Sequence, residues 1–503
     1  MINSIDEEFI KKKLYTYLEL SENKEDYMKK IHDVILSSIE EIILTTLGKI
    51  LPLKNMNEIL YLFYIGKMSQ YLLDSINKIL EEKEKENIIN DIRNKLYDII
   101  DKNLSFIIDD INYSNNLDID AFIIKNKILK EVYINIPVFS ENKNFMEKID
   151  NYEFNYNEIF WKDKNSKIKE ILNADNLRCL DNISYEYQKF INVIFSFNYD
   201  SLNKDEETKY NNLKNNILLG IDLTIKEEDP KEINLIEITK SIEGNNTIRK
   251  CRLISSTLDI IKETIKTIKM LIFFKTKYYS KILLYFHDIL ATFINLSNEI
   301  VLETKGQIKN ITQNELASSY SSIYLIHEII SQLILFISNS ENIEEDVKNK
   351  YKELEILASD YMQKNLQKLN NMIKEGIYES SINEYKKIIS SEKYPIAKGS
   401  LPINPFAENI VKLVKNVNKS LKHCYEDETI SKIILDNLNI FIDELEKSTA
   451  ENKKELNAEE KKQFKRDFTF IRKNIDKDIE DIDFKGFKKK LNAISKKGED
   501  KEK

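Results

Sequence analysis

Residues 309–330, "KNITQNELASSYSSIYLIHEII", decide how the rest of the chain is read. Thr312 and Glu315 fit the T-x-x-E pattern in which a threonine hydroxyl and a glutamate side chain satisfy each other's backbone N–H groups at the start of a helix. Beyond that start, Leu316, Ser319, Ile323, Ile326 and Ile330 recur at helical spacing, and Leu325 and Ile329 widen the stripe. The first turns also carry Ala317, Ser318, Ser319, Ser321 and Ser322. Either one of these serines is a nucleophile, or small side chains let a second helix come close. A nucleophilic serine needs a base and an oxyanion site. His327 lies five positions after Ser322 on the same helix, where the two do not face each other. The spacing therefore favours close packing.

Composition extends the helical reading to the whole chain. Only 9 Gly and 6 Pro occur in 503 residues, too few for the many turns of a β-rich protein. Net charge is −8, with Lys and Arg mixed among Asp and Glu, which disfavours a nucleic-acid-binding body. The three cysteines, Cys179, Cys251 and Cys424, cannot make a disulfide framework, so a reducing compartment is expected. The N-terminus lacks a signal-peptide pattern. The strongest candidate membrane span, residues 281–301, is interrupted by His287, Asp288 and Asn295 and reads better as a buried helix.

Along the chain, residues 28–51 and 56–80 read as a helix pair broken at Pro52, and 87–109 continue the apolar period. Residues 111–150 read as less regular, with loops at "NYSNNLDID" and Pro137. Helical patterns resume at 157–175 and 183–198, the latter with Tyr185, Phe190, Val193 and Ile194 on one side. The charged stretch 200–250 reads as a linker or surface insertion. Residues 251–339 are the most apolar block, three helices that hold the scaffold together, and 344–391 read as an exposed helical pair. Pro395, Pro402 and Pro405 make 391–406 extended or turned. Ile410, Leu413, Val414, Val417 and Leu421 form one stripe; Ile430, Ile433, Ile434, Leu438, Phe441, Ile442 and Leu445 form the next. A further helix is expected at 458–477, followed by a lysine-rich end that reads as disordered and solvated. Four regions follow: 1–110, an N-terminal assembly region; 111–250, helical segments with an irregular insertion; 251–395, a central bundle; and 396–503, a C-terminal bundle with a basic tail.

No phosphate loop, nucleophile elbow, zinc-protease motif or paired-cysteine metal spacing occurs. His32, His287, His327 and His423 read as surface or satisfied core residues, and His423 next to Cys424 is poorly placed to share a metal with it. The acidic pairs at 109–110 and 344–345 read as solvated faces, and the aromatics of "FFKTKYYSKILLYF" (273–286) as core. No catalytic, cofactor-binding or metal-ligating residue is expected, no cofactor, and no enzyme activity.

Three patches resemble a known family. In 289–330 the residues Lys309, Ile311, Thr312, Leu316, Ala317, Ser318, Ser319 and Ile326 resemble the characteristic block of the vacuolar protein sorting-associated protein 54 family, subunits of the GARP vesicle-tethering complex. Upstream, within 164–194, Asn182, Ile183, Glu186, Tyr187 and Gln188 are similar to a second family segment, with Ser184 where proline is usual. Downstream, 404–447 resembles the family's paired C-terminal helices. The resemblance covers roughly 160–447. It implies an all-α, elongated rod of stacked helical bundles of the kind shared by tethering-complex subunits, acting without catalysis in retrograde transport from endosomes to the trans-Golgi network. The implied partners are other tethering subunits, SNAREs, small GTPases and the cytoplasmic face of trans-Golgi and endosomal membranes, with no nucleic acid. Residues 28–109 would serve subunit assembly, and 404–495 membrane or vesicle-bound partners. A syndetin- or exocyst-type subunit, or an unrelated helical scaffold, is the alternative.

Overall fold

The computed structural model describes most of residues 119–195, 230–303 and 311–497, with short breaks, and a few positions between 70 and 98. Apart from those few positions, which are helical, the helices expected at 28–51, 56–80 and 87–109, the acidic pair at 109–110 and the stretch 200–229 lie outside the described residues. The chain divides into two compact units, residues 1–163 and 164–503.

In the first unit, α1 (Ile119–Asn135) is followed by the short α2 (Pro137–Ser140) and by α3 (Lys143–Lys162). This is more regular than the loops expected over 111–150. Pro137 does end a helix, but only to begin the next, where its missing N–H costs nothing. Phe122, Leu129, Phe145, Ile149, Tyr152 and Tyr156 are buried between α1 and α3. Among them Glu153 is fully buried and is compensated by Asn126 Nδ2 at 2.9 Å and by Lys130 Nζ. A buried carboxylate survives only with such partners.

The second unit begins with α4 (Lys164–Ala174), β1 (Ile183–Ser184) and α5 (Tyr185–Phe195). Strands β2 (Glu232–Ile233), β3 (Ile236–Ile242) and β4 (Asn245–Cys251) follow. β1 pairs antiparallel with β2, and β3 with β4 in a register that runs from Ile236 opposite Cys251 to Ile242 opposite Asn245. The fold is mostly α-helical, with these short strands added to what the all-α reading includes, and β2 to β4 lie in the stretch read as a linker or surface insertion. Over 236–239, Ile-Glu-Ile-Thr alternates apolar and polar residues with period two, and Ile236 and Ile238 are fully buried. Gln188 on α5 completes the outer edge of β3. Its Nε2 donates to Glu237 O and its Oε1 accepts from Glu237 N, both at 2.7 Å, so that a side-chain amide stands where another strand would pair.

Three helices occupy the apolar block: α6 (Ser255–Phe274), α7 (Tyr279–Ser297) and α8 (Gln313–Ser338). A π-helical turn, Asn298–Leu302, ends α7, and Lys368 Nζ donates to its carbonyls at Val301 (2.9 Å) and Leu302 (3.0 Å). Such a cation satisfies carbonyls that a helix end leaves without partners. α7 buries Ile282, Leu283, Phe286, Ile289, Leu290, Phe293 and Ile294 against α4 and α9, as expected for 281–301. No described helix is long and apolar enough to cross a membrane.

The stretch expected as an exposed pair is one continuous helix, α9 (Glu345–Ile377), followed by a π-turn (Tyr378–Ile382) and α10 (Asn383–Ser390). Its polarity belongs to one side. Val347, Tyr351, Leu354, Ala358, Tyr361, Asn365, Leu369, Ile373 and Ile377, three or four positions apart, form a buried stripe packed chiefly on α8.

The C-terminal stripes form α11 (Pro405–Leu421) and α12 (Asp427–Glu451), followed by α13 (Ala458–Asn474) and α14 (Lys485–Lys497). Pro405 takes the first-turn position of α11. The lysine-rich end is helical rather than solvated coil up to Lys497. Phe487, Leu491 and Ile494, at i, i+4 and i+7, are buried, and α14 packs on α12 and α13. Burying each such side chain is worth about 1.5–3 kcal/mol, which outweighs lysine repulsion on the opposite side.

Candidate functional site

The serine-bearing face of α8 gathers polar side chains from several elements of the second unit. The expected capping box is present: Thr312 N donates to Glu315 Oε2 at 2.7 Å, and Glu315 N donates to Thr312 Oγ1 at 3.3 Å. Ser318, Ser319, Ser321 and Ser322 are all fully buried. Ser318 Oγ donates to Asn314 O at 2.7 Å and touches the thiol of Cys179. Ser319 Oγ and Tyr361 OH share a hydrogen bond of 2.5 Å across the α8–α9 contact. Ser322 Oγ accepts from Ile254 N at 3.1 Å. Asn365 Nδ2 crosses from α9 to donate to Leu316 O at 3.1 Å, and Tyr425 OH donates to Asn365 Oδ1 at 2.9 Å. Small side chains here let neighbouring elements reach the α8 backbone, the packing role read from the sequence.

One turn further along α8, Arg249 from β4 lies over the Tyr324 ring, 3.3 Å from its centroid, and pairs with Glu426 at 2.8 Å. Tyr320 stacks on Tyr425 with ring centroids 4.1 Å apart. Arg252 N donates to His423 O at 3.2 Å. The hairpin, α8 and the turn between α11 and α12 are thereby locked together. Burial pushes the hydroxyls of Tyr320, Tyr324 and Tyr425 up, and burial also pushes the Cys424 thiol up, keeping it protonated. A protonated thiol is a poor nucleophile and a poor metal ligand. All three cysteines are free thiols. Among the described residues no group of three or more His, Cys, Asp or Glu is placed to hold a metal ion.

His327 does meet a serine, although not one of its own helix. Its Nε2 is 3.2 Å from Ser359 Oγ on α9, and its Nδ1 is 3.8 Å from Glu328 Oε1. Serine, imidazole and carboxylate stand in order, but 3.8 Å is too long for the orienting hydrogen bond. Ser359 and His327 also sit within long helices, whose backbone N–H groups are engaged and leave no oxyanion donors. His287 Nδ1 lies 3.1 Å from Asp288, and its ring meets Tyr351 edge-on. His423 has φ 67° at the end of α11. Burial, then the cations Arg252, Lys422 and Lys250, hold its pKa below the ordinary histidine value. His32 lies outside the described residues. Glu344 and Glu345 are exposed at the start of α9, where carboxylates favour the helix dipole. Phe274 and Phe286 of the aromatic run are core residues.

A cleft of about 580 Å³ between α5, β2 and β3 is lined by Tyr185, Gln188, Asn192, Glu232, Asn234 and Glu237 among others. No pattern within one segment marks it, since its lining residues come from stretches 40 or more positions apart. Gln188 is spent on β3, and Glu237 pairs with Lys250 at 3.1 Å. Of the two surfaces expected to bind partners, 28–109 lies outside the described residues except for a few positions, and 404–495 forms α11 to α14.

No family model matches the chain, and no curated protein matches it.

Proposed function

We propose that this chain is a non-catalytic subunit of a multisubunit vesicle-tethering complex acting in retrograde transport from endosomes to the trans-Golgi network. The observation that carries this reading is the place of the resemblance block. Thr312, Leu316, Ala317, Ser318, Ser319 and Ile326 are spent on starting and packing α8. A signature made of helix-packing residues suits a scaffold whose job is to present surfaces. Stacked helices give reach at about 1.5 Å per residue. Separate weak contacts on one scaffold then raise each other's effective concentration. In this proposal the chain belongs to the rod-shaped bundle class of tethering subunits and works at the cytoplasmic face of trans-Golgi and endosomal membranes. Other subunits, SNAREs and small GTPases are its partners, and residues 1–110 serve assembly. A syndetin- or exocyst-type complex is the neighbouring alternative, distinguished by which subunits co-purify.

Conditional depletion tests the proposal. Receptors that cycle between endosomes and the trans-Golgi network should accumulate in peripheral vesicles within one cycle of depletion. Unchanged receptor distribution after complete depletion would overturn it.

A further inference from the structure

The two last helices carry a charge balance opposite to that of the chain. Six Lys or Arg residues sit on α13 and six Lys on α14, against three acidic residues on α13 and none on α14, while the connection between the helices adds Asp476, Asp478, Glu480, Asp481 and Asp483 against Lys477. Two of the three acids face inward: Glu460 accepts from Tyr394 N, and Asp467 accepts from Tyr394 OH and Asn404. The chain as a whole has a net charge of −8. The apolar side of α14 is already used, since Phe487, Leu491 and Ile494 are buried. Its lysines are therefore held on a folded element. Lys485, Lys489, Lys490 and Lys496 are exposed, Lys485 beside Asp483 and Lys490 reaching Asn439 of α12; Lys462 and Lys473 on α13 are exposed too, and Arg472 Nη1 ties the two helices through Asn492 Oδ1 at 2.8 Å.

We infer that the exposed lysine face of α13 and α14 docks on an anionic lipid leaflet. Charge complementarity selects the occupant. Fixed ammonium groups without an accompanying exposed apolar stripe fit the headgroup plane, where each adds to binding, and do not fit insertion into the acyl region. The inference deepens the proposed tethering role and rests on its membrane association, but it is measured separately. Subunit recovery can succeed while lipid binding fails, and the reverse.

The experiment is co-sedimentation of the purified full chain with phosphatidylcholine vesicles, with or without phosphatidylserine. Binding is expected only with phosphatidylserine, and should weaken steeply as salt shortens the screening length from about 10 Å at 0.1 M to about 3 Å at 1 M. The triple variant Lys489→Glu, Lys490→Glu, Lys496→Glu should lower vesicle partitioning by about 100-fold. The matching Lys→Arg triple variant should keep it. Equal thermal melting of all three proteins excludes unfolding as the cause. No sedimentation with phosphatidylserine vesicles at low salt, or unchanged partitioning of the Glu variant, would overturn the inference. So would capture of acidic proteins by a chain that ignores the vesicles, which would make the surface a protein contact.

Discussion

Tyr394 donates its hydroxyl hydrogen to the fully buried Asp467 at 2.8 Å, and this bond fastens the proline-rich connection 391–404 to α13. The same carboxylate accepts from Asn404 N at 3.0 Å, Asn404 Nδ2 at 2.7 Å and Gln463 Nε2 at 2.9 Å. The prolines keep the stretch from forming a helix, so its polar groups find partners elsewhere: Asp467 takes most of its donors, Glu460 accepts from Tyr394 N at 3.0 Å, and Gln463 Nε2 donates to Pro402 O at 2.8 Å.

Asp467→Ala should therefore destabilise the second unit by about 3 kcal/mol, because several buried donors lose their acceptor. Thermal or urea unfolding of the variant measures it.

Asp467 also sets a pH signature. Burial raises its pKa above the ordinary carboxylate value, and the hydrogen bonds from Asn404, Tyr394 and Gln463 offset part of that rise. The folded state thus binds this proton more tightly than the unfolded chain does. Its contribution to stability should increase as pH falls through the folded pKa toward the unfolded value of about 3.9. Subtracting the unfolding curves of Asp467→Asn from those of the wild type isolates this contribution.

His423 has the opposite sign. Burial and neighbouring cations hold its pKa down. The unfolded chain therefore takes up the proton first, and stability should fall as pH drops below about 6.5. His423→Asn, which tolerates the positive φ, should flatten that part of the profile. An unchanged slope in melting temperature between pH 7 and 5.5 would count against this assignment.

Ser319 separates packing from chemistry. Ser319→Ala loses the 2.5 Å bond to Tyr361 and should cost about 1 kcal/mol. Ser319→Leu forces a branched side chain between α8 and α9 and should cost about 3 kcal/mol. A serine nucleophile would instead show labelling by a fluorophosphonate probe that either substitution abolishes.

Local patterns were legible in the sequence. The capping box at Thr312, the three helices of 251–339 and the stripes from Ile410 to Leu445 follow from spacing within one element. What was not legible depends on contacts between distant segments or on short periods. Tyr361 and Asn365 reach α8 from more than 40 residues away, and no pattern within 309–330 names them. The β3–β4 hairpin rests on Ile236 and Ile238 inside a charged stretch, too short an alternation to outweigh its surroundings. α14 was hidden by its lysines, although Phe487, Leu491 and Ile494 hold the helical spacing.

The most direct measurement is affinity purification of the tagged endogenous protein in moderate salt, with mass spectrometry of what stays bound. A tethering subunit predicts recovery of three other large helical proteins in stoichiometric amounts, with endosomal or Golgi SNAREs below them. Recovery of the folded chain alone would contradict it.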